Sequence, residues 1–372
     1  MKKKIFFAII LFSVAAAIAL FLISRINKPQ VSVEESLAKK GISKELLSSS
    51  ATTSSLNETL PEEKVITKKI PHIYQTFNNC GPATLSMILG FYGVEKSQKE
   101  IGDIMRPYQN PKGDNDDKTI FPQEFADFAK SYGFEAKSGP AGTIEFLKEV
   151  VVKAEIPVVV KGWLRINEDI GHFWIVKGHN EREKVLITDD SYHGPNRKTS
   201  YSDFLELWQP FNYGYVLIYP KEKSATVESI LAKLGDQEMQ YTRARQRAEE
   251  ESRLDSKNIY PLFNLVTSFY HLGEYQKSTE AFEKVESRLP RRMLWYQIEP
   301  ILAYQKLDRY DRVLEISQRI LENGNRAFSE LYQIRGEVFL AQGQKEKAKE
   351  EFEKALLYNK NYKPAKEALV KL

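Results

Sequence analysis

The spacing of apolar positions divides this 372-residue chain into four parts. Residues 1–25 contain an uninterrupted apolar run, whereas residues 26–67 are rich in Ser, Thr, Glu and Lys and almost free of aromatic residues. Residues 68–220 show helical spacing followed by short β-rich runs, and residues 225–372 show helical spacing that repeats. The pattern predicts an N-terminal transmembrane helix or signal, a flexible linker and two folded regions.

The apolar run covers residues 5–23, with Ser13 as its polar position, and a helix of that length spans the hydrocarbon core of a bilayer. Three lysines precede it, while Arg25 and Lys28 follow, so the heavier N-terminal charge favours a cytoplasmic N-terminus. A cleaved signal peptide is the alternative, although its apolar region is usually shorter. We therefore expect a single-pass membrane protein with most of the chain extracytoplasmic, or a secreted protein if the segment is cleaved.

Within residues 68–220, the pattern predicts helices first and strands second. The first helix begins at Cys80, carries apolar residues at helical spacing and ends before Gly93. Four β-rich runs follow at residues 156–163, 172–179, 184–190 and 213–220. Helices followed by an antiparallel sheet predict an α+β domain.

The C-terminal region, residues 225–372, repeats with a period of 35, which is the separation between Gly273, Asp308 and Gly343. That period is close to the 34 residues of a tetratricopeptide repeat. The middle unit departs from the pattern because it places Pro300 inside its first helix. Stacked helix pairs bury a shared core and leave a concave face, so we expect this all-α region to bind a protein partner.

Composition and charge argue against several classes of function. The formal net charge is +4 with both signs interspersed, so the chain lacks a basic tract of the kind that binds nucleic acid. No pair of histidines or cysteines has the spacing of a zinc site, and the acidic segment at residues 113–118 lacks the spacing of an EF-hand. We expect no nucleic-acid partner, no metal and no cofactor.

Cys80 is the one cysteine of the sequence, which rules out an internal disulfide. An unpaired thiol in an exported protein can be oxidised, so its presence suggests that the thiol has a function. Cys80 lies where a loop becomes a helix, and the unpaired N–H groups of a helix N-terminus stabilise a thiolate. A small buried hydrophobic residue is the alternative role for a free cysteine.

A nucleophilic thiol needs a base, which is usually a histidine. His172 opens a β-rich run directly after Gly171, where an imidazole could reach the N-terminus of a helix packed on the sheet. His179 ends the same run and is expected to be exposed. The other histidines, at positions 72, 193 and 271, lie in a loop, in a turn and in a repeat helix, so we select His172.

Four separated segments resemble the papain-like cysteine peptidase family that includes the bacteriocin leader-processing peptidases. In chain order they are Gln75, the run Cys80-Gly81-Pro82-Ala83, the run Gly171-His172-Phe173, and Asp190-Ser191-Tyr192 followed by Gly194-Pro195. The resemblance covers residues 68–220. It implies a papain-like cysteine peptidase domain.

The resemblance also implies roles for individual residues. Cys80 would attack a carbonyl carbon, His172 would activate the thiol and protonate the leaving amine, and Gln75 would donate to the oxyanion. Asp190 would orient the imidazole, with Asp189 as the alternative, because strand alternation places the two carboxylates on opposite faces.

The sequence therefore predicts a membrane-tethered extracytoplasmic cysteine peptidase whose helical repeats recruit a protein substrate or partner. The chain lacks both a GxxxxGKS-type phosphate loop and a multi-span membrane domain, which argues against the transporter-fused role of the leader-processing peptidases. Two alternatives stay open. One is a cell-wall peptide amidase, and the other is a non-catalytic scaffold that binds a peptide on a papain-like fold.

Overall fold

The computed structural model describes residues 60–107 and 120–372. The predicted membrane segment at residues 5–23 and the acidic segment at residues 113–118 lie outside these ranges. None of the helices in the described ranges combines the length and the hydropathy that crossing a bilayer requires. The transmembrane helix stays a prediction from the sequence.

The first folded region combines helices with one antiparallel sheet. Its strands are β1 (Glu63–Val65), β2 (Glu135–Gly139), β3 (Val158–Trp163), β4 (Gly171–Asn180), β5 (Val185–Asp190), β6 (Gly194–Ser200) and β7 (Tyr215–Tyr219). Its helices are α1 (Cys80–Phe91), α2 (Gln98–Met105), α3 (Pro122–Lys130), α4 (Ile144–Glu149) and α5 (Tyr201–Trp208). A π-helical turn, Val150–Ala154, continues α4, and a 3₁₀ turn, Gln209–Phe211, follows α5.

The strands run in the order β2-β7-β3-β4-β5-β6, and β1 pairs with the distal end of β4. Of these, β1, β2 and β6 are absent from the sequence-based prediction. Strands β2 and β6 form the two ends of this order, and their sequences, EAKSG and GPNRKTS, carry no apolar run. The short β1 lies inside residues 26–67, so part of the predicted linker belongs to the sheet.

His179 is fully buried, so the expectation that it is exposed is wrong. The reason is β1, which pairs Lys64 with His179 and covers the end of β4. The imidazole Nε2 hydrogen-bonds to the carbonyl oxygen of Pro61 at 3.0 Å. A strand of three residues is too short to be recognised from its pattern, and its effect on His179 is therefore not predictable from the sequence.

Helix α1 crosses one face of the sheet and forms the core of this region. Its Leu85, Ile88 and Leu89 pack with Phe173 and Ile175 of β4 in one hydrophobic cluster. The helix ends before Gly93, as predicted, and the positive φ of 87° at Gly93 suits glycine. Because α1 and β4 share this core, the N-terminus of α1 and the start of β4 are held in a fixed relation.

The second region is built of helices alone. They are α6 (Ser224–Ala232), α7 (Gln237–Leu254), α8 (Ile259–His271), α9 (Tyr275–Val285), α10 (Met293–Tyr296), α11 (Glu299–Lys306), α12 (Tyr310–Glu322), α13 (Ser329–Ala341), α14 (Lys345–Tyr358) and α15 (Lys363–Lys371). In the middle repeat the first helix is split into α10 and α11, and Pro300 occupies the first turn of α11, where its missing N–H costs nothing. The prediction of a mixed α/β region followed by helical repeats is confirmed.

Buried polar contacts join the repeats to the first region, centred on the segment 209–213. Glu251 of α7 accepts hydrogen bonds from Gln209 Nε2 at 2.8 Å and from Tyr213 Oη at 2.6 Å. Asn212 Nδ2 donates to Thr267 Oγ1 at 3.0 Å. The repeats thus use part of their surface to bind the first region.

The last repeats also contact the first region at a second place. Arg106, at the end of α2, forms a bidentate ion pair with Glu124 of α3 and reaches Glu330 of α13 at 3.0 Å. Asn359 Nδ2 donates to the carbonyl oxygen of Met105 at 3.0 Å. The repeat region therefore contacts the first region both through α7 and α8 and through its last helices.

Candidate active site

The loop before α1 delivers Cys80 to the helix N-terminus. Asn78 has a positive φ of 49°, a conformation that asparagine tolerates, and Asn79 is the N-cap. Cys80 is the first residue of α1, where backbone N–H groups have no partner within the helix. Gly81 follows, and the side chain of Ile120 packs closely against it, since a Cβ at this position would lie 2.8 Å from the Ile120 side chain.

The side chain of Gln98, the first residue of α2, holds this loop in place. Its Oε1 accepts from the backbone N of Thr76 and from Asn79 Nδ2, both at 2.9 Å, and its Nε2 donates to the carbonyl oxygen of Tyr74 at 2.8 Å. One amide therefore fixes the segment that carries Gln75 and leads into Cys80. Gln98 is a functional residue of the site that the sequence motifs do not contain.

His172 lies between Cys80 and Asp190. Its Nε2 is 2.7 Å from Asp190 Oδ1, and Cys80 is near enough to the same ring to raise the pKa of His172. Because Asp190 occupies Nε2, the nitrogen left for the sulfur is Nδ1. His172 and Asp190 are both almost fully buried, whereas Cys80 is half-buried.

The electrostatics of the three side chains favour a charged imidazole. Burial opposes charge on His172, but the hydrogen bonds and charges of Asp190 and Cys80 outweigh it and raise the pKa of His172 from 6.5 to about 9. Burial likewise opposes charge on Asp190, yet its bonds to His172 and His193 hold the pKa of this carboxyl well below its usual range. The site thus stabilises a protonated His172 beside an ionised Asp190.

The register of β5 separates the two neighbouring aspartates. Asp190 lies opposite Trp174 and reaches His172, while Asp189 lies opposite Ile175 and forms an ion pair with Lys177 at 2.7 Å. The backbone N of Asn196 also donates to Asp189 Oδ1 at 2.8 Å. The structure therefore brings Asp190, and not Asp189, to His172.

Asp190 also contacts a second histidine, His193, which was not selected as a site residue from the sequence. His193 Nδ1 lies 2.7 Å from Asp190 Oδ2, and the backbone N–H groups of Tyr192 and His193 donate to Oδ1 at 2.7 and 3.1 Å. The turn after β5 thus wraps around the carboxylate. With four hydrogen-bond donors, Asp190 is fixed in position.

Gln75 is oriented by Ser191, the residue that follows Asp190. Ser191 Oγ donates to Gln75 Oε1 at 2.8 Å, and the backbone N of Gln75 donates to the carbonyl oxygen of Ser191 at 2.9 Å. Because the amide oxygen is occupied, Gln75 Nε2 is the group that remains to donate toward a substrate. These two hydrogen bonds therefore join the loop before α1, which carries Gln75, to the turn that follows Asp190.

All four residues selected from the sequence thus meet in one place. Within the described residues, no group of three or more His, Cys, Asp or Glu side chains has an arrangement that could hold a metal ion. Trp163 of β3 and Trp174 of β4 are buried in the core. The arrangement is a thiol, an imidazole and a carboxylate in series, which is the constellation of a nucleophilic hydrolase.

The fold and this site define the chain as a peptidase-like α/β domain followed by helical repeats. Residues 67–216 match the model of the Peptidase_C39 like family, and residues 329–371 match a tetratricopeptide repeat model. No curated protein matches the chain.

Several solved structures are similar to parts of the chain. The peptidase domain of Streptococcus ComA, a bi-functional ABC transporter involved in quorum sensing, is 19% identical, with 41% of this chain and 100% of that domain covered and a TM-score of 0.32. MamA from Desulfovibrio magneticus RS-1 is 18% identical, with 40% and 80% covered and a TM-score of 0.33. The tetratricopeptide repeat protein TTC0263 of Thermus thermophilus is 19% identical, with 40% and 79% covered and a TM-score of 0.30.

Proposed function

We propose that the chain is a cysteine peptidase with a papain-like catalytic domain, tethered to a membrane and acting outside the cytoplasm. The observation that carries this proposal is the position of Cys80, at the N-terminus of α1 and beside His172, whose Nε2 contacts Asp190. The match of residues 67–216 to the Peptidase_C39 like family supports it. The apolar run at residues 5–23 supports the membrane tether.

In the first half of the reaction, the Cys80 thiolate attacks the carbonyl carbon of the scissile amide and forms a C–S bond. The electron pair of the carbonyl moves to oxygen, and Gln75 Nε2 and the backbone N–H of Cys80 donate to this oxyanion. Removing one such donor typically costs about 3 kcal/mol of transition-state stabilisation. The His172 imidazolium then transfers its proton to the leaving nitrogen, the C–N bond breaks, and an amine departs.

In the second half, water attacks the thioester that remains on Cys80. The imidazole of His172, now neutral, accepts a proton from this water while a second tetrahedral oxyanion forms. Collapse of that intermediate breaks the C–S bond, releases a carboxylic acid and restores the thiolate–imidazolium pair. Asp190 stays ionised throughout and keeps Nε2 of the ring directed at itself, so that Nδ1 faces the sulfur.

We also propose that the repeats bind a protein substrate or partner through surface that the first region leaves uncovered. Tetratricopeptide repeats generally mediate contacts between proteins, and residues 329–371 match such a repeat. The repeats are fixed against the catalytic region by Glu251 and Arg106, so a partner bound there would be held at a set distance from Cys80.

Alkylation of Cys80 by iodoacetamide at pH 7 tests the proposal. We expect rapid modification in the native chain and a rate at least about tenfold lower in His172→Asn, because an adjacent imidazolium stabilises the thiolate. His271→Asn, in the repeat region, serves as the matched control. A slow rate that the His172→Asn change leaves unaltered would favour the non-catalytic scaffold, and release of peptides from purified peptidoglycan would favour the amidase.

A further inference from the structure

Exposed apolar side chains are concentrated around the candidate active site. Within the described part of residues 60–220, the exposed large apolar side chains are Tyr74, Phe77, Ile104, Ile166, Ile170 and Tyr192. All except Ile104 lie in three loops: the cysteine loop (residues 74–79), the β3–β4 loop (residues 164–170) and the β5–β6 turn (residues 191–193). Exposed apolar side chains grouped in loops beside a reactive group are typical of a ligand-binding surface.

Direct contacts connect the three loops. The Arg165 guanidinium lies 5.6 Å from the ring centroid of Tyr192, which joins the β3–β4 loop to the β5–β6 turn. Gln75 and Ser191 exchange hydrogen bonds between the cysteine loop and the same turn. We call the five exposed side chains of these loops the apolar rim.

The β3–β4 loop is held in shape next to His172. The backbone N of Leu164 donates to the carbonyl oxygen of Ile170 at 2.7 Å, which extends the β3–β4 ladder by one step. Asp169 pairs with Arg292 of the repeat region at 2.5 Å. Since Ile170 precedes His172 by two residues on an extended strand, the two side chains fall on the same face.

We propose that the apolar rim selects peptides with a large apolar side chain directly after the scissile bond. This inference rests on the proposed peptidase function. His172 delivers its proton to the leaving amine, so the leaving half of the substrate must lie beside His172. Ile170 precedes His172 by two residues, and Tyr192 lies in the turn that donates to Asp190, the partner of His172. An apolar substrate side chain next to these residues would remove their exposed surface from water.

Cleavage of a pool of synthetic peptides of varied sequence, with Cys80→Ala as the blank, provides the test. We expect Leu, Ile, Phe or Tyr directly after the Cys80-dependent cut sites. For a peptide made from one such site, replacing that residue by Ser should lower kcat/KM about tenfold or more. Ile170→Ser and Tyr192→Ser should reduce this discrimination, whereas Leu357→Ser, at an exposed apolar position in the repeats, should preserve it.

The outcomes separate the two proposals. Cys80-dependent cleavage without a preference for apolar residues after the cut would overturn the role of the apolar rim and leave the peptidase function standing. A preference that Ile170→Ser and Tyr192→Ser do not alter would also overturn it. Absence of Cys80-dependent cleavage together with slow alkylation of Cys80 would overturn the peptidase function and, with it, this inference.

Discussion

Replacing Glu251 by Ala tests whether the repeat region and the first region unfold as one cooperative structure. Glu251 is buried on α7 and accepts hydrogen bonds from Gln209 Nε2, from Tyr213 Oη and from Arg247 Nε, the last at 3.0 Å. The Arg247 guanidinium also stacks 3.3 Å from the ring centroid of Tyr213. Removal of the carboxylate would therefore leave a buried cation without its counter-charge.

The size of the effect follows from these contacts. Breaking a buried ion pair by removing one partner typically costs about 3–5 kcal/mol. The phenol of Tyr213 and the amide of Gln209 lose an acceptor as well, although these losses do not simply add. We expect Glu251→Ala to lower the free energy of unfolding by about 3–5 kcal/mol, a large part of the roughly 5–15 kcal/mol of a typical domain.

Urea denaturation of the full chain, followed by tryptophan fluorescence, measures this change. The fluorescence of Trp163, Trp174 and Trp208 reports on unfolding of the first region, and that of Trp295 reports on unfolding of the repeats. Glu250→Ala is the matched control, because Glu250 forms a solvent-exposed pair with Arg253 that is worth at most about 1 kcal/mol. A loss below about 1 kcal/mol in Glu251→Ala, or separate transitions for the two regions in the native chain, would refute the reasoning.

Two further predictions concern the site itself. Gln98→Ala should lower kcat for peptide cleavage about tenfold to a hundredfold with a smaller change in KM, because the loop that carries Gln75 and Cys80 loses its three anchoring bonds; a change in KM alone would contradict this role. The pKa of His172 is raised from 6.5 to about 9, so the stability that its protonation supplies is complete below pH 6.5 and is lost as the pH rises through 9. The difference in unfolding free energy between the native chain and His172→Asn should therefore shrink over that interval, and a difference that grows would contradict the assignment.

Cys80 and His172 could be found from the sequence because each is marked by a local pattern. A helix start with Pro82 in its first turn locates Cys80, and an alternating apolar run after Gly171 locates His172. The sequence does not show which of Asp189 and Asp190 contacts His172, because the two are adjacent at the end of one strand. The register with β4 and the nearby Lys177 decide between them, and both depend on tertiary structure.

Other parts of the site had no local signal. Gln98 contacts Tyr74 across 24 positions, and Ser191 contacts Gln75 across 116 positions. Both are polar residues that resemble any surface position when only their neighbours in sequence are considered. From the sequence His193 only lies in a turn, and the folding of that turn around Asp190 brings its ring to the carboxylate.

The contacts of Gly171 bear on how the repeats contribute to the site. A Cβ on Gly171 would lie 2.8 Å from the ring of Tyr296, a residue of the repeat region that is itself buried. The ring of Tyr296 also lies 5.8 Å from that of Trp163, the β3 residue that pairs with Gly171. The residue directly before His172 is thus packed against a repeat helix, so the position of the imidazole depends on the repeats as well as on the sheet. A repeat region that only recruited partners would not need this contact, and its presence argues that the repeats help to form the geometry of the site.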